Sequence, residues 1–424
     1  MGITEISDFS ASADFMDRGD ELRGFRDRFY IPNGPDGKPA IYFTGNSLGL
    51  QPKTVLEVVQ QELDDWRHLG VEGHLHARSP WLPYHEFLTE QMAEIVGGKP
   101  VETVVMNSLT VNLHLLMVSF YRPTNERCKV VIEKGAFPSD RYAVCSQIKF
   151  HGLDTDDCLI ELEPRDGEST LRTEDILTTL EREGSGAALV LLGGVNYYTG
   201  QAFDMKAITQ AGHKAGAIVG FDLAHAAGNI ELKLHDWGVD FAAWCSYKYL
   251  NGGPGAVGGA FVHERHAESF GLPRFAGWWG HDKESRFLMG PDFQPIAGAE
   301  GWQISNPPIL QMAALRASLE IFGDAGMSRL AAKSKALTGY LESLLDRIED
   351  GRIEVITPHD PGQRGCQLSI RVRDADKALF SALSAKGVIA DWREPDVIRV
   401  APVPLYNSFA DVAAFIDILK SCLK

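Results

Sequence analysis

The chain has 424 residues and a formal net charge of −16, from 57 aspartate and glutamate residues against 41 lysine and arginine residues. This balance argues against binding to nucleic-acid phosphates or to an anionic membrane surface, although a few local basic residues can still hold an anionic substrate. No stretch approaches the roughly 18 consecutive apolar residues of a membrane-spanning helix, and the acidic start lacks the apolar core of a signal peptide. We therefore expect a cytoplasmic protein.

The six cysteines are scattered, with no CxxC motif and no paired spacing. Such a pattern is typical of reduced thiols in a cytosolic enzyme. We expect neither a disulfide framework nor a metal site.

The first part of the chain, to about residue 39, is polar and ends in turn-forming residues over 32–37. We expect it to be irregular, and we assign residues 1–50 to an N-terminal arm that covers a cleft or a neighbouring subunit. A short strand is predicted over 41–43. Apolar residues recur at helical spacing over 52–66, which predicts a helix there.

Short apolar runs alternate with amphipathic stretches between Val104 and about Val262. Uninterrupted apolar strands separated by helices indicate an α/β fold whose mixed, mostly parallel sheet is covered on both faces. Ligands of such sheets bind beyond the carboxyl ends of the strands. Strands are predicted over 129–132, 187–192, 217–221, 241–244 and 260–262.

A polar segment over 107–112 precedes the helical run 113–120. Hydroxyl and backbone N–H groups at the start of a helix can bind a phosphate. An ordinary Ser or Thr helix cap would give the same pattern.

Two predicted strands lead into residues that suit one cofactor. Asp222 ends the run 217–221 and is followed by His225, whereas Tyr247 and Lys248 follow the run 241–244 and precede a Gly-rich turn. Pyridoxal phosphate (PLP) needs an amine for a Schiff base with its aldehyde and a carboxylate that keeps its ring nitrogen protonated. We therefore predict a PLP enzyme, although Asp222 alone could be a helix cap and Lys248 alone a surface residue.

The pattern changes after residue 308. Long helices are predicted over 310–322 and 330–348, followed by short strands and a final helix over 409–422, as in a smaller α+β domain. Arg399 lies in an apolar strand, where an unpaired charge is costly. It is predicted to bind a substrate carboxylate or to form an internal salt bridge.

Six segments together resemble the kynureninases, from about residue 40 to the C-terminus. They are 42–49, 137–140, 197–201, 222–225, 246–251 and 399–407. The resemblance implies the aminotransferase-like fold type I of PLP-dependent enzymes. A large PLP-binding domain over 51–308 would then carry the mixed, mostly parallel sheet, and a smaller C-terminal α+β domain would cover 309–424.

The resemblance also implies a homodimer with active sites at the subunit interface. The cofactor would be held by Leu109, Thr110, Phe137, Pro138, Ser139, Asp140, Asp222, His225, Tyr247 and Lys248. Trp278 and Asn306 would reach it from the partner subunit, while Arg399, Ser47, His74 and Asn306 would bind the substrate. Some relatives are expected to carry a hydroxyl residue where this chain has Gly193.

The implied reaction is the hydrolytic Cβ–Cγ cleavage of L-kynurenine to anthranilate and L-alanine in tryptophan degradation. Lys248 would remove the Cα proton, and Tyr247 would give or take a proton at a later stage. His74 and Asn306 could bind a ring hydroxyl, which favours L-3-hydroxykynurenine as a good substrate.

Two alternatives remain open. A cysteine desulfurase or an aminotransferase could use the same fold, and a desulfurase would need a mobile nucleophilic cysteine, for which Cys366 is the candidate. A non-catalytic protein would have no need of an intact Lys248, Asp222 and Arg399.

Overall fold

The structure is a computed structural model that describes the backbone of residues 2–423 and the side chains of residues 11–423. Its helices are α1 (Gly2–Gly19), α2 (Val55–Leu69), α3 (Gly73–His76), α4 (Glu86–Val96), α5 (Leu109–Phe120), α6 (Pro138–Phe150), α7 (Thr155–Cys158), α8 (Thr173–Glu183), α9 (Met205–Lys214), α10 (Leu234–Trp237), α11 (Ile309–Ala325), α12 (Met327–Leu345), α13 (Lys377–Ala385) and α14 (Phe409–Cys422). Its strands are β1 (Ile41–Tyr42), β2 (Thr103–Val105), β3 (Lys129–Glu133), β4 (Leu159–Leu162), β5 (Ala187–Gly193), β6 (Ile218–Asp222), β7 (Phe241–Trp244), β8 (Gly259–Val262), β9 (Ile353–Val355), β10 (Leu368–Val372), β11 (Val388–Ile389), β12 (Asp391–Arg393) and β13 (Val397–Val400). No described helix is both long and apolar enough to cross a bilayer.

A seven-stranded sheet in the order β2-β8-β7-β6-β5-β3-β4 forms the centre of the fold. The strands from β7 to β4 pair in parallel, whereas β8 runs antiparallel to both of its neighbours. The predicted mixed, mostly parallel sheet is therefore confirmed.

Both faces of this sheet are buried, which explains why its strands are apolar without alternation. Val131 and Val190 pack into one hydrophobic core. Their strand neighbours Val130 and Leu189 point to the opposite face and pack into a second core. The carboxyl ends of the parallel strands are left at one edge, where a ligand can bind.

The C-terminal part contains a four-stranded antiparallel sheet in the order β12-β13-β10-β9. Leu341 of α12, Ile398 of β13 and Phe415 of α14 pack in one core with it. The predicted long helices and the α+β pattern are confirmed. β1 pairs in parallel with β11, so the segment that follows residue 40 packs against the C-terminal part of the chain.

The prediction of an irregular start to the chain is wrong, because Gly2–Gly19 form α1. Ala13 is buried in the same core as α12 and α14. The carboxylate of Asp17 accepts hydrogen bonds from the backbone N–H groups of Phe409 and Ala410, at 2.8 and 3.0 Å. These tertiary contacts stabilise a helix for which the polar sequence alone gave little indication.

The expectation that every cysteine is reduced is also wrong, because Cys128 and Cys158 form a disulfide. Each stands directly before a strand, and these two strands, β3 and β4, pair in parallel with Val130 opposite Leu159. This pairing brings the two Cα atoms to 5.4 Å. The two cysteines are 30 residues apart in the sequence, so their spacing does not indicate a disulfide. They come close only because their strands pair in the folded sheet.

Candidate active site

A cavity of about 160 Å³ opens at the carboxyl ends of the parallel strands. Its wall includes most of the residues predicted to hold the cofactor: Leu109, Thr110, Phe137, Ser139, Asp140, Asp222, His225, Tyr247 and Lys248. Residues from distant parts of the chain meet there because neighbouring strands end at the same edge of the sheet.

Lys248 lies inside this cavity, in the loop that follows β7. Its Nζ lies 3.0 Å from Nε2 of His225, and 5.8 Å from the ring centre of Phe137. Burial and the nearby charge of Lys248 lower the pKa of His225 well below its ordinary value. His225 is therefore neutral at physiological pH, and its Nε2 can accept a hydrogen bond from the lysine amine.

Two carboxyl groups, those of Asp222 and Asp140, line the same cavity. Asp222 ends β6, and its Oδ1 accepts a hydrogen bond of 2.7 Å from the backbone N–H of Ala224. Burial raises the pKa of both groups, and the negative charge of Asp222 raises the pKa of Asp140 further. Asp222 is thus the anion of the pair, while Asp140 holds a proton and donates a hydrogen bond to it.

The starts of α5 and α6 meet at another part of the wall. Thr110 Oγ1 lies 2.9 Å from Ser139 Oγ, so the two helix starts are joined through their hydroxyl groups. Ser108 precedes α5, but its side chain does not cap the helix. Neither helix start has a side-chain cap, so hydroxyl and backbone N–H groups beside the positive ends of two helix dipoles can bind a phosphate.

The residues present fit PLP. Nδ1 of His225 and Oδ1 of Asp140 are buried without a hydrogen-bond partner in the described part of the chain. A ligand with polar ring substituents would supply these partners. Lys248 offers the amine for an aldehyde, Asp222 the anion for a protonated ring nitrogen, and the starts of α5 and α6 a place for a phosphate.

Several predicted site residues lie away from the described cavity wall. Ser47, Trp278 and Asn306 are partly or largely exposed. The indole N–H of Trp278 donates a hydrogen bond of 3.0 Å to the backbone carbonyl of Arg286. His74 Nδ1 lies 3.0 Å from the carbonyl oxygen of Val71. Pro138 is the first residue of α6 and fixes the start of that helix beside the cavity.

Arg399 is buried, with 1% of its surface exposed. It forms an ion pair with Asp391 and donates a hydrogen bond of 2.5 Å to the carbonyl oxygen of Tyr197, a residue of the cavity wall. The internal salt bridge foreseen as one alternative is therefore present. Nε of Arg399 is buried without a hydrogen-bond partner among the residues that the structure describes, and Arg399 itself is not one of the residues of the cavity wall.

Cys366 does not have the properties of a nucleophile. It is buried, and burial raises the pKa of its thiol to about 12. Because the thiolate is the reactive form of cysteine, this residue is inert at neutral pH. Its environment argues against the desulfurase alternative.

Four residues of the wall had no role predicted from the sequence: Glu133, Val195, Tyr197 and Ala224. Glu133 is the last residue of β3, so the rule about strand ends that singled out Asp222 could have found it. Tyr197 contacts Phe137 edge-to-face at 5.2 Å between ring centres. Only the fold brings these two rings together.

Comparisons with known proteins agree with this site. Residues 330–419 match the family model described as the kynureninase C-terminal domain. The chain is 62% identical to a kynureninase of Myxococcus xanthus, over 98% of this chain and 97% of the relative. It is 63% identical to one from Koribacter versatilis, over 95% of each chain, and 51% identical to one from Nematostella vectensis, over 97% of this chain and 93% of the relative.

Solved structures share the fold at low sequence identity. A cysteine desulfurase from Thermococcus onnurineus superposes with a TM-score of 0.74 at 20% identity, over 92% of this chain and 98% of that one. A C-DES mutant with glycine covalently linked to its PLP cofactor gives a TM-score of 0.77 at 16% identity, over 93% and 98% of the two chains. The expected fold type I is confirmed, and the relatives of high identity show that this chain belongs to the kynureninase family.

Proposed function

We propose that this protein is a PLP-dependent hydrolase that cleaves the Cβ–Cγ bond of L-kynurenine. One molecule of water is consumed, and anthranilate and L-alanine are released. The observation that carries the proposal is the placement of Lys248 beside a neutral His225, in one cavity with the anionic Asp222. Similarity to kynureninases over nearly the whole chain supports the choice of substrate.

The residues of the cavity have separate roles in this reaction. Bound PLP supplies an electron sink for the charge that develops next to the substrate's amino group. Lys248 would hold the cofactor through its aldehyde carbon in the resting protein. Once the substrate's amino group has taken that place and freed Nζ, the lysine amine would move the proton at Cα of the substrate. Asp222 would keep the ring nitrogen protonated, and Asp140 would support Asp222 by donating a hydrogen bond to it.

Tyr247 is the candidate for the later proton transfer. Burial raises the pKa of its phenol, and the neighbouring Cys245 raises it further. The phenol therefore keeps its proton at neutral pH and suits a donor better than a base. We assign it the donation of a proton to the alanine-forming fragment once the Cβ–Cγ bond has broken.

Arg399 is proposed to bind the substrate's α-carboxylate through its free Nε. Ser47, His74 and Asn306 are proposed to surround the aryl group, and the last two would bind a ring hydroxyl. A site that binds a hydroxyl disfavours a ligand that lacks it. L-3-hydroxykynurenine should therefore give the larger kcat/KM, and equal values for the two substrates would remove this assignment.

We propose a homodimer with shared active sites. Trp278 and Asn306 are not on the described wall of their own subunit's cavity, so a second copy would have to bring them there. Large apolar side chains in the segment 270–289, which contains Trp278, are exposed in the single chain, and exposed apolar side chains of this kind suit association with a second copy. They are Phe270, Phe275, Phe287, Leu288 and Met289.

The shared site can be tested by mixing two inactive variants, Lys248→Ala and Trp278→Ala. In a mixed dimer, one site carries both substitutions and the other carries neither. Random exchange of subunits should thus restore about a quarter of the wild-type activity. If the mixture stays as inactive as its parents while mixed dimers form, each site lies within one subunit.

The assigned reaction is tested by giving the PLP-loaded protein L-kynurenine or L-cysteine in separate assays. We expect anthranilate and alanine from kynurenine, and no alanine from cysteine because Cys366 is inert. Alanine from cysteine without cleavage of kynurenine would identify a desulfurase instead.

We also propose the division of the chain into an arm (1–50), a large domain (51–308) and a small domain (309–424), and a cytoplasmic location. Limited proteolysis would test the first by cleavage near residues 50 and 308. Cell fractionation would test the second.

A further inference from the structure

Glu133 has a buried carboxyl group on the cavity wall, and none of the roles proposed above uses it. It is 5% exposed, and its Oε2 accepts a hydrogen bond of 3.1 Å from the amide of Asn196. A Cβ atom placed on Gly193 would lie 2.9 Å from Oε1 of Glu133. Gly193 ends β5, the strand next to β3. Because Gly193 has no side chain, the carboxyl group of Glu133 can occupy the space beside it.

The surroundings of Glu133 set its protonation. The titratable groups that share the cavity wall with it are Asp140, Tyr197, Asp222, His225, Tyr247 and Lys248. Burial and the charge of Asp222 raise the pKa of Glu133 to about 7, against the opposing effect of the N–H groups of Asn196 and Gly193. Glu133 in turn contributes to the raised pKa of Asp140. Glu133 is thus electrostatically coupled to both carboxyl groups at the ring-nitrogen side of the cavity.

We propose that Glu133 is a positioning residue that sets the negative charge available to the cofactor's ring nitrogen, acting through Asp222 and Asp140 and not by contact with the substrate. When Glu133 is protonated, Asp222 is the one anion among these three carboxyl groups. When Glu133 ionises, a second negative charge favours the protonated ring nitrogen. The proposal rests on the proposed function only in requiring bound PLP, and turnover of kynurenine is not needed to test it.

A protonated ring nitrogen beside Asp222 would offset part of the repulsion that Glu133 experiences. Ionisation of Glu133 in the PLP-loaded protein is thus expected at or below about pH 7. The absorption spectrum of bound PLP depends on the charge around its ring and therefore reports this ionisation. The affinity for PLP should rise with pH through the same transition, because the added charge attracts the ring nitrogen.

The experiment is a pH titration of the absorption spectrum of the PLP-loaded protein, from about pH 5 to about pH 9. Glu133→Gln keeps the shape of the side chain but cannot ionise. Asn196→Asp keeps the turn contacts of Oδ1, but it replaces the donor to Glu133 with a carboxylate oxygen. Glu163→Gln is the matched control, because it makes the same change of charge just beyond β4 on an exposed side chain that pairs with Lys134.

We expect a spectral transition at or below about pH 7 in the wild type and in Glu163→Gln, its loss in Glu133→Gln, and its shift to higher pH in Asn196→Asp. A Glu133→Gln titration that superimposes on the wild type would overturn the proposal, as would a wild type without such a transition. If Glu133→Gln fails to fold, Asn196→Asp provides the test. A transition of Asn196→Asp at the same pH as in the wild type would overturn the proposal. If the spectra behave as expected but the protein does not cleave kynurenine, the result would count against the proposed function and not against the role of Glu133.

Discussion

Nζ of Lys248 and Nε2 of His225 lie 3.0 Å apart within the cavity at the strand ends. The neutral imidazole accepts a hydrogen bond at Nε2, so its proton is on Nδ1, which faces no partner in the described chain. His225 can therefore orient the lysine with one nitrogen and donate to a polar group of the cofactor with the other.

The different protonation of Asp222 and Asp140 predicts that their amide variants differ. Asp222→Asn removes the anion and should lower kcat by about 100-fold or more. Asp140→Asn keeps a hydrogen-bond donor toward Asp222, so the loss should stay within about tenfold. The measurement is kcat of the two variants at saturating PLP. Equal losses would show that the charge is not concentrated on Asp222.

Tyr247→Phe tests the proposed late proton donor. We expect kcat for kynurenine to fall by at least about tenfold, because general acid catalysis typically contributes that much or more. The content of bound PLP should be unchanged, since the ring of residue 247 remains. Unchanged turnover would remove Tyr247 from the mechanism.

The disulfide between Cys128 and Cys158 should stabilise the sheet edge formed by β3 and β4. It closes a loop with a sequence separation of 30. Restriction of the unfolded chain by a loop of this size contributes roughly 3 to 4 kcal/mol to the free energy of unfolding. Cys128→Ser combined with Cys158→Ser should therefore lower the Tm under oxidising conditions.

The control for this prediction is Cys145→Ser, which changes a free cysteine. If the double variant and this control unfold at the same temperature, the two cysteines are not linked in solution. Both cysteines would then be reduced thiols, as the sequence pattern predicts.

The raised pKa of Glu133 predicts a dependence of stability on pH in the cofactor-free protein. Its folded pKa of about 7 lies above the ordinary 4.5. Such a group stabilises the fold in its protonated form, so its contribution is complete below pH 4.5 and is lost as pH rises through about 7. Relative to Glu133→Gln, the wild type should lose up to roughly 3 kcal/mol over this range.

Chemical denaturation of the two cofactor-free proteins at several pH values measures this difference. A difference in the free energy of unfolding that stays constant with pH would show that Glu133 ionises normally in the folded chain.

Asp222 and Lys248 could be predicted from the sequence because each follows a buried strand, and a parallel sheet brings such positions together. Glu133 follows the same rule but was missed, since only the fold shows that its side chain fills the space beside Gly193. The disulfide and α1 depend on contacts between distant segments, which no local pattern reveals. The proposed roles of Trp278 and Asn306 stay predictions, because they concern a second subunit.

The most direct test of the central claim is the stoichiometry of products from L-kynurenine, measured in parallel for the PLP-loaded wild type and Lys248→Ala. We predict equimolar anthranilate and alanine from the wild type and neither product from the variant. Cleavage by the variant at the wild-type rate, or a wild type that binds PLP and leaves kynurenine intact, would contradict the account.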